Sequence, residues 1–216
     1  MIYFTSDTHF WHKQIIPYCN RPVPGIQSGQ EHWGTNVELM NEWLIQRWNE
    51  KVKKDDEIYH LGDFAFAGKT KTDTILSRLN GRKHLIRGNH DGSTTAKSEY
   101  WESVEKYRFI HVPLKYEDNN GDVQSYNQPI ALFHFPILSW DGMAHGSWHL
   151  HGHCHGSLSD SGGLRLDMGV DCWYYAPVSV EEIQNEMALR TVSFVDHHDR
   201  RENNPRFAHL LHMKKK

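Results

Sequence analysis

Residues 86–93 read IRGNHDGS. The KHLIR run (83–87) is β-forming, and behind Gly88 the chain at once presents Asn89, His90 and Asp91. A strand that ends by releasing three side chains able to bind a metal or move a proton marks its tip as a site. The same event recurs. IYFTS (2–6) ends at Asp7-Thr8-His9, EIYHL (57–61) at Gly62-Asp63, IALFH (130–134) at His134, and WHLHGHCH (148–155) at His153 and His155. Helical periods intervene. TNVELMNEWLIQRWNEKV (35–52) sets Val37, Met40, Leu44 and Trp48 on one face, with Thr35 and Glu38 as a capping box. TDTILSRLN (72–80) predicts a short helix stopped by Gly81, residues 95–106 predict another, and Ser179 with Glu182 opens a last one over 180–188. DNNG (118–121) predicts a hairpin, LRLDMGV (164–170) and TVSFVD (191–196) strands, and 17–34 a loop. Strands alternating with helices argue an α/β fold, in which ligands sit beyond the carboxyl ends of the strands. Five polar tips can converge there.

The composition sets the frame. With 216 residues, 38 % hydrophobic and 24 % charged, the chain suits one sizeable water-soluble domain, expected over 1–196. There is no transmembrane-length apolar run and no signal-like N-terminus, so neither membrane insertion nor export is expected. Cys19, Cys154 and Cys172 are odd in number and match no disulfide framework, which fits a reducing, cytoplasmic location. Net charge is −3, so nothing global points to nucleic acid, but residues 199–216 hold six Lys/Arg against two Asp/Glu, a local +4. Residues 197–216 read as a solvated basic tail, with an electrostatic handle for RNA or DNA as the second reading.

The unusual count is 17 histidines, the side chain most used for metal ligation and proton transfer. Asp7 and His9 stand two apart, so on an extended chain both point the same way. His153 and His155 repeat that relation, with Gly152 supplying backbone freedom. Each tip alone is weak: Asp63 suits a turn, His134 a hydrogen-bonded core, and Asn89 to Asp91 a turn after glycine. Together they supply more N and O donors than one ion needs. Seven groups with one shared carboxylate fit two ions, a clamp suited to displacement at phosphorus.

The ordered set DTH (7–9), GD (62–63), GNHD (88–91), FHFP with His134, and GHCH (152–155) resembles the calcineurin-like metallophosphoesterases. SDTHFWHKQII, YHLGDFAF and GVDCWYYAPVSVEEI look like a small bacterial and phage-type subgroup of that family. The resemblance implies a four-layer αββα sandwich, two mixed sheets face to face with helices outside. It implies two divalent ions, manganese foremost and iron, nickel or zinc as alternatives. Asp7, His9 and His155 would hold the first, Asn89, His134 and His153 the second, and Asp63 would bridge them. A hydroxide shared by the metals would attack the phosphorus of a phosphodiester or phosphomonoester, a small or nucleotide-type substrate. His90 would contact the phosphoryl oxygens or protonate the leaving oxygen; the usual distal Asp partner of that histidine is missing, and the adjacent Asp91 is the second catalytic candidate.

Departures narrow the class. The GDxxDRG extension of the protein Ser/Thr phosphatases is absent, and Phe66 stands where purple acid phosphatases carry an iron-binding Tyr. Substrate-phosphate contacts are expected at His12 and Arg21, and Lys13 is a further candidate. His60 is expected to be packed away from Asp63, His151 to support the ligand turn, Cys154 to point away from it, and the eight Trp to lie mostly in the core or on helix faces, with Trp11 and Trp173 bordering the pocket and stacking on a base as the second reading. His197, His198, His209 and His212 read as surface residues. Two rival functions stand: a nuclease of the same chemistry acting on single-stranded nucleic acid, and a scaffold without catalysis, which the full ligand set disfavours.

Overall fold

The computed structural model describes residues 1–22, 36–118, 120–159 and 163–191. The expected strand over 191–196 and basic tail over 197–216 lie outside the described residues, apart from residue 191 itself.

Two mixed sheets carry the fold. β1 (Ile2–Thr5), β2 (Glu57–His60), β3 (Arg82–Ile86) and β4 (Trp101–Glu105) run parallel in the order β4-β3-β2-β1, and the short β9 (Val178–Ser179) closes the edge antiparallel to β1. The second sheet begins with a long hairpin, β5 (Tyr107–Glu117) and β6 (Val123–Phe133), paired from Tyr107↔Phe133 to Glu117↔Val123. β7 (Trp148–His151) and β8 (Arg165–Asp167) then add in parallel. Side chains alternate along the first sheet. Phe4, Tyr59 and Ile86 enter the core shared with Ile130, Leu132, Trp148 and Leu150 of the second sheet. Their neighbours Tyr3, Ile58 and Leu85 face the helices instead.

Those helices are α2 (Val37–Lys51), which buries Met40, Leu44, Ile45 and Trp48, and α3 (Lys69–Leu76), which buries Ile75 and Leu76. α2 starts at Asn36, whose side chain accepts from the Leu39 amide. The box expected from Thr35 falls on a residue outside the described set. α5 (Val180–Met187) has the expected capping box between Ser179 and Glu182, and its Ile183 and Met187 complete the inter-sheet core. Among the described residues no long helix packs on the second sheet; Trp140 and Met143, around a 3₁₀ turn at Met143–His145, join the core there.

The loop after β1 holds one turn of helix, α1 (Ile15–Tyr18). The helix predicted over 95–106 does not form. α4 covers only Ser93–Ala96, and Trp101–Glu105 is edge strand β4. Trp101 and Val104 stand at helical spacing, but the open flank of β3 offers backbone partners and an apolar bed, and pairing overrides local preference.

Candidate metal centre

The site forms where the carboxyl ends of both sheets meet. The loops after β1 and β2 run side by side: Asp7 N–H donates to the Gly62 carbonyl (2.9 Å) and His9 N–H to that of Asp63 (3.0 Å). From the second sheet, the Gly152 amide donates to the His134 carbonyl (2.9 Å) and the His153 amide to Asp7 Oδ2 (2.9 Å).

Two groups of candidate ligands result. Asp7, His9 and His155 offer atoms all within 4.8 Å of one another, and so do Asp63, His134 and His153. In the first, Asp7 Oδ1 lies 3.9 Å from His9 Nε2 and 3.8 Å from His155 Nε2. Between the groups stands one oxygen, Asp63 Oδ2, 3.8 Å from His9 Nε2 and 3.5 Å from His134 Nε2. Asn89 Oδ1 is 2.9 Å from the same His134 nitrogen. All seven side chains expected at the strand tips are thus brought together.

They converge by a different route from the one expected. Extended-chain parity does not align them, because Asp7, His9, Asp63, His153 and His155 all have φ between 47° and 73°. Such left-handed backbone is uncommon outside glycine and collects at functional sites. Glycines let the loops approach. A Cβ on Gly152 would lie 2.0 Å from Ser6 Oγ and 2.3 Å from Asp7 Oδ2.

The unsatisfied atoms test whether cations fit. Asp7 Oδ1 and His9 Nε2 are buried without a hydrogen-bond partner, a costly arrangement unless something else answers them. Burial pushes the Asp7 carboxyl up to about 7, although His155 and a Ser6 hydrogen bond pull the other way. Burial and the Arg21 charge push His9 far below the usual imidazole range, keeping its lone pair free. His134 gives the same sign. Its Nδ1–H donates to the Leu61 carbonyl (2.8 Å), so in the neutral ring Nε2 is a lone pair facing Asn89 Oδ1 and Asp63 Oδ2. With that tautomer three acceptors face one another, an arrangement a cation would satisfy, and an N/O donor set of this kind suits Mn²⁺, Fe, Ni²⁺ or Zn²⁺.

A buried ion-pair network stands behind the first group. Arg21, 1 % exposed, donates through Nε and Nη2 to both oxygens of Asp171 (2.8 Å each), through Nη2 to the Asp7 carbonyl (2.7 Å) and through Nη1 to the Thr8 carbonyl (2.8 Å). Asp171 in turn accepts from His155 Nδ1 at 2.7 Å. Burial opposes its charge, but His155 and Arg21 outweigh that and hold the Asp171 carboxyl below its ordinary range. Burial likewise opposes a charged His155, yet Asp171, Cys19 and Asp7 carry its pKa up to about 10. Cys19 completes a third compact group with His155 and Asp171. The Arg21 guanidinium already neutralises that corner and disfavours a further cation.

Two expectations are corrected here. Arg21 does not reach toward a substrate phosphate, since its guanidinium is buried and occupied by Asp171 and two carbonyls. Asp91 does not act beside the His90 ring. Its buried carboxylate accepts from the amides of Asp63 (2.8 Å), Phe64 (3.0 Å) and Gly88 (2.8 Å), tying the GD loop to the GNHD loop. His90 itself is exposed at the rim; its amide donates to Asp63 Oδ1 (2.8 Å) and its ring lies 5.9 Å from that of His9. His12 is at the site too, its Nδ1 3.2 Å from His9 Nδ1 and its ring stacked on Phe66. His60 is packed away as expected, 2.9 Å from Thr8 Oγ1. His151 is buried, its Nδ1 2.9 Å from the Gly152 carbonyl. Trp11 carries Lys71 over its ring, and the Trp173 indole donates to the Asp167 carbonyl. Sequence reasoning missed Asp171 altogether. It sits in a 3₁₀ turn, Val170–Cys172, that no periodicity announces.

Two mixed sheets with helices, joined at a cleft of carboxylates and imidazoles, define an α/β metal-dependent phosphoesterase in general terms. The chain belongs to the calcineurin-like phosphoesterase family, whose model matches residues 1–174. It is 32 % identical to an uncharacterized protein of Methanocaldococcus jannaschii, over 89 % of this chain and 96 % of the relative. It is 29 % identical to the Gene 66 protein of Mycobacterium phage L5, over 79 % and 86 % of the two chains. A protein of unknown function from Aquifex aeolicus shares the fold, with a TM-score of 0.55 at 24 % identity over 86 % of this chain and 98 % of that one.

Proposed function

We propose that this protein hydrolyses a phosphodiester or phosphomonoester, small or nucleotide-type, at a dinuclear centre held by Asp7, His9 and His155 on one side and Asn89, His134 and His153 on the other, with Asp63 shared. The observation that carries this reading is the single oxygen, Asp63 Oδ2, standing between His9 Nε2 and His134 Nε2 with orphaned acceptors around it. Two divalent ions bound there would supply Lewis acidity and lower the pKa of a water from about 15.7 toward 7.

The chain's own residues do the rest. Asp63 is held by both its oxygen and its amide: Oδ1 accepts from His90 N–H, and its N–H donates to Asp91. Asp171, itself held by the Arg21 guanidinium, fixes the tautomer and angle of His155 by accepting its Nδ1–H in a hydrogen bond. The exposure of His90 at the rim, with its ring 5.9 Å from that of His9, supports a role as proton donor to a phosphoryl or leaving oxygen. His12 is the remaining candidate for a phosphate contact.

His90→Ala tests the reading. Metal content by elemental analysis should be unchanged, while kcat on a chromogenic phosphodiester should fall by roughly 10²–10⁴-fold. Full activity in that variant would remove His90 from the chemistry. Metal analysis of the wild-type chain, followed by a panel of monoesters, linear diesters and cyclic nucleotides, resolves the substrate class. Single-stranded DNA added to that panel, with and without residues 197–216, separates a nuclease from a small-molecule enzyme.

A further inference from the structure

Two exposed phenylalanines flank the candidate ligands, one on each half of the site. Phe66 follows Asp63 by three residues and is 39 % exposed. Its ring lies flat on His12 (3.9 Å between centroids, 15° between planes) and 4.6 Å from His90 and 5.5 Å from His9. Phe135 directly follows His134 and is 37 % exposed. Its ring lies 4.7 Å from His153 and 4.9 Å from His134. Single exposed apolar residues are ordinary on protein surfaces. Here both rings stand against imidazoles of the candidate site, Phe66 on the His9 side and Phe135 on the side of His134 and His153.

Packing does not account for them. Phe66 and Phe135 belong to neither core cluster, so their open faces are not consumed by the fold. The backbone holds Phe66 in place: its amide donates to the Phe10 carbonyl (2.8 Å) in the short bridge that joins the loops after β1 and β2. Phe135 is held by its carbonyl at His149 Nε2 (3.2 Å) and by ring contact with Phe133 (5.6 Å). Tyr18, 74 % exposed, stands edge-on to His12 and extends the apolar rim on the Phe66 side.

A phosphoryl group seated over both halves must send its ester substituents outward past these rims. A flat ring gains most from such neighbours, because offset stacking on an aromatic face adds to area burial and tolerates any base. We propose that Phe66 and Phe135 form an aromatic clamp, and that the site selects phosphoesters whose alcohol carries a planar aromatic ring, a nucleobase above all. The proposal rests on the phosphoesterase reading of the same site and names its substrate class.

The test uses the full chain loaded with Mn²⁺. Calorimetry compares methyl phosphate, phenyl phosphate and thymidine 5′-monophosphate. Kinetics compares methyl p-nitrophenyl phosphate with thymidine 5′-(p-nitrophenyl) phosphate, which share a leaving group. The wild type should bind thymidine 5′-monophosphate at least about tenfold more tightly than methyl phosphate, and show a similar preference in kcat/KM. Phe66→Leu and Phe135→Leu keep an apolar wall but lose the ring, and each should lower these ratios several-fold. Phenyl phosphate binding as tightly as the nucleotide would assign the clamp to aryl esters in general; binding like methyl phosphate would mean that a flat ring is not what is read. Equal affinity for all three ligands in the wild type, or ratios untouched in both variants, would overturn the proposal. Selective binding without hydrolysis of either p-nitrophenyl diester, or of the monoester p-nitrophenyl phosphate assayed beside them, would leave the clamp standing and sink the phosphoesterase reading instead.

Discussion

Asp171 shows how much of a site can hide behind its visible ligands. The strand tips announced Asp7, His9, Asp63, Asn89, His134, His153 and His155, because metal chemistry demands those side chains and the motifs display them in order. Asp171 announced nothing, and Arg21 suggested a phosphate contact rather than a partner for a carboxylate. Their pairing spans 150 positions, and only folding brings the guanidinium onto the carboxylate that holds His155. Such partners typically change metal affinity by about 10–100-fold when removed. Asp171→Asn should therefore weaken Mn²⁺ binding by that factor in calorimetry, and unchanged affinity would mean that His155 needs no orienting. The same residues govern pH. Asp7 titrates near 7 because it is buried, and His155 near 10 because Asp171, Cys19 and Asp7 outweigh its burial. Both raised values mean protons held on ligand atoms that a cation must displace, so affinity rises with pH. Below 7 both groups release a proton on binding; above 7 only His155 does. Calorimetry in buffers of different ionisation enthalpy should count about two protons released at pH 6 and about one at pH 8.5. A count independent of pH would contradict this assignment.

At the scale of elements, periodicity served well where the core is two-sided and poorly at edges. β1, β2 and β3 alternate between two apolar environments and were legible as short strands; α2 and α5 were legible from spacing and from the Ser179–Glu182 box. The segment after GNHD misled, because an edge strand needs few apolar residues and Trp101-Glu102-Ser103-Val104 satisfies a helical period equally well. The loops were legible in composition but not in conformation. Their ligands converge through left-handed backbone and glycine contacts, so that a missing Cβ decides the approach of GHCH to the first strand tip. Gly152→Ala would drive a methyl group into Ser6 Oγ and Asp7 Oδ2. Overpacking of this kind costs about 1–3 kcal/mol. Thermal unfolding should record that loss, and Mn²⁺ affinity should fall with it, because the displaced Asp7 oxygen belongs to the ligand set. A variant that melts and binds like the wild type would show that the loop relaxes freely.

For the molecule as a whole, the site is also a joint. Asp7, His9, Asp63 and Asn89 come from loops of the first sheet, whereas His134, His153 and His155 come from the second. Among the described residues, direct ties across the junction include the Arg21–Asp171 pair, His134 to the Leu61 carbonyl, the His153 amide to Asp7, and the Val170 amide to the Ser6 carbonyl. Against them stand a buried carboxylate raised toward neutrality and acceptors without donors, all concentrated at the same seam. Cations there would tie acceptors from both sheets to one centre, so metal loading and global stability should be linked. A ligand at a hundred times its dissociation constant adds about 2.7 kcal/mol to the folded state. For two ions and a chain of this size, that corresponds to a rise in Tm of roughly 10–20 °C between EDTA and saturating Mn²⁺. Asp63→Asn separates a shared centre from two independent ones. If Asp63 Oδ2 links the halves, this change should remove most of the stabilisation rather than half of it. Loss of only half would show that each cation is held by its own sheet's ligands, and identical melting in EDTA and Mn²⁺ would show that no cation sits at the seam.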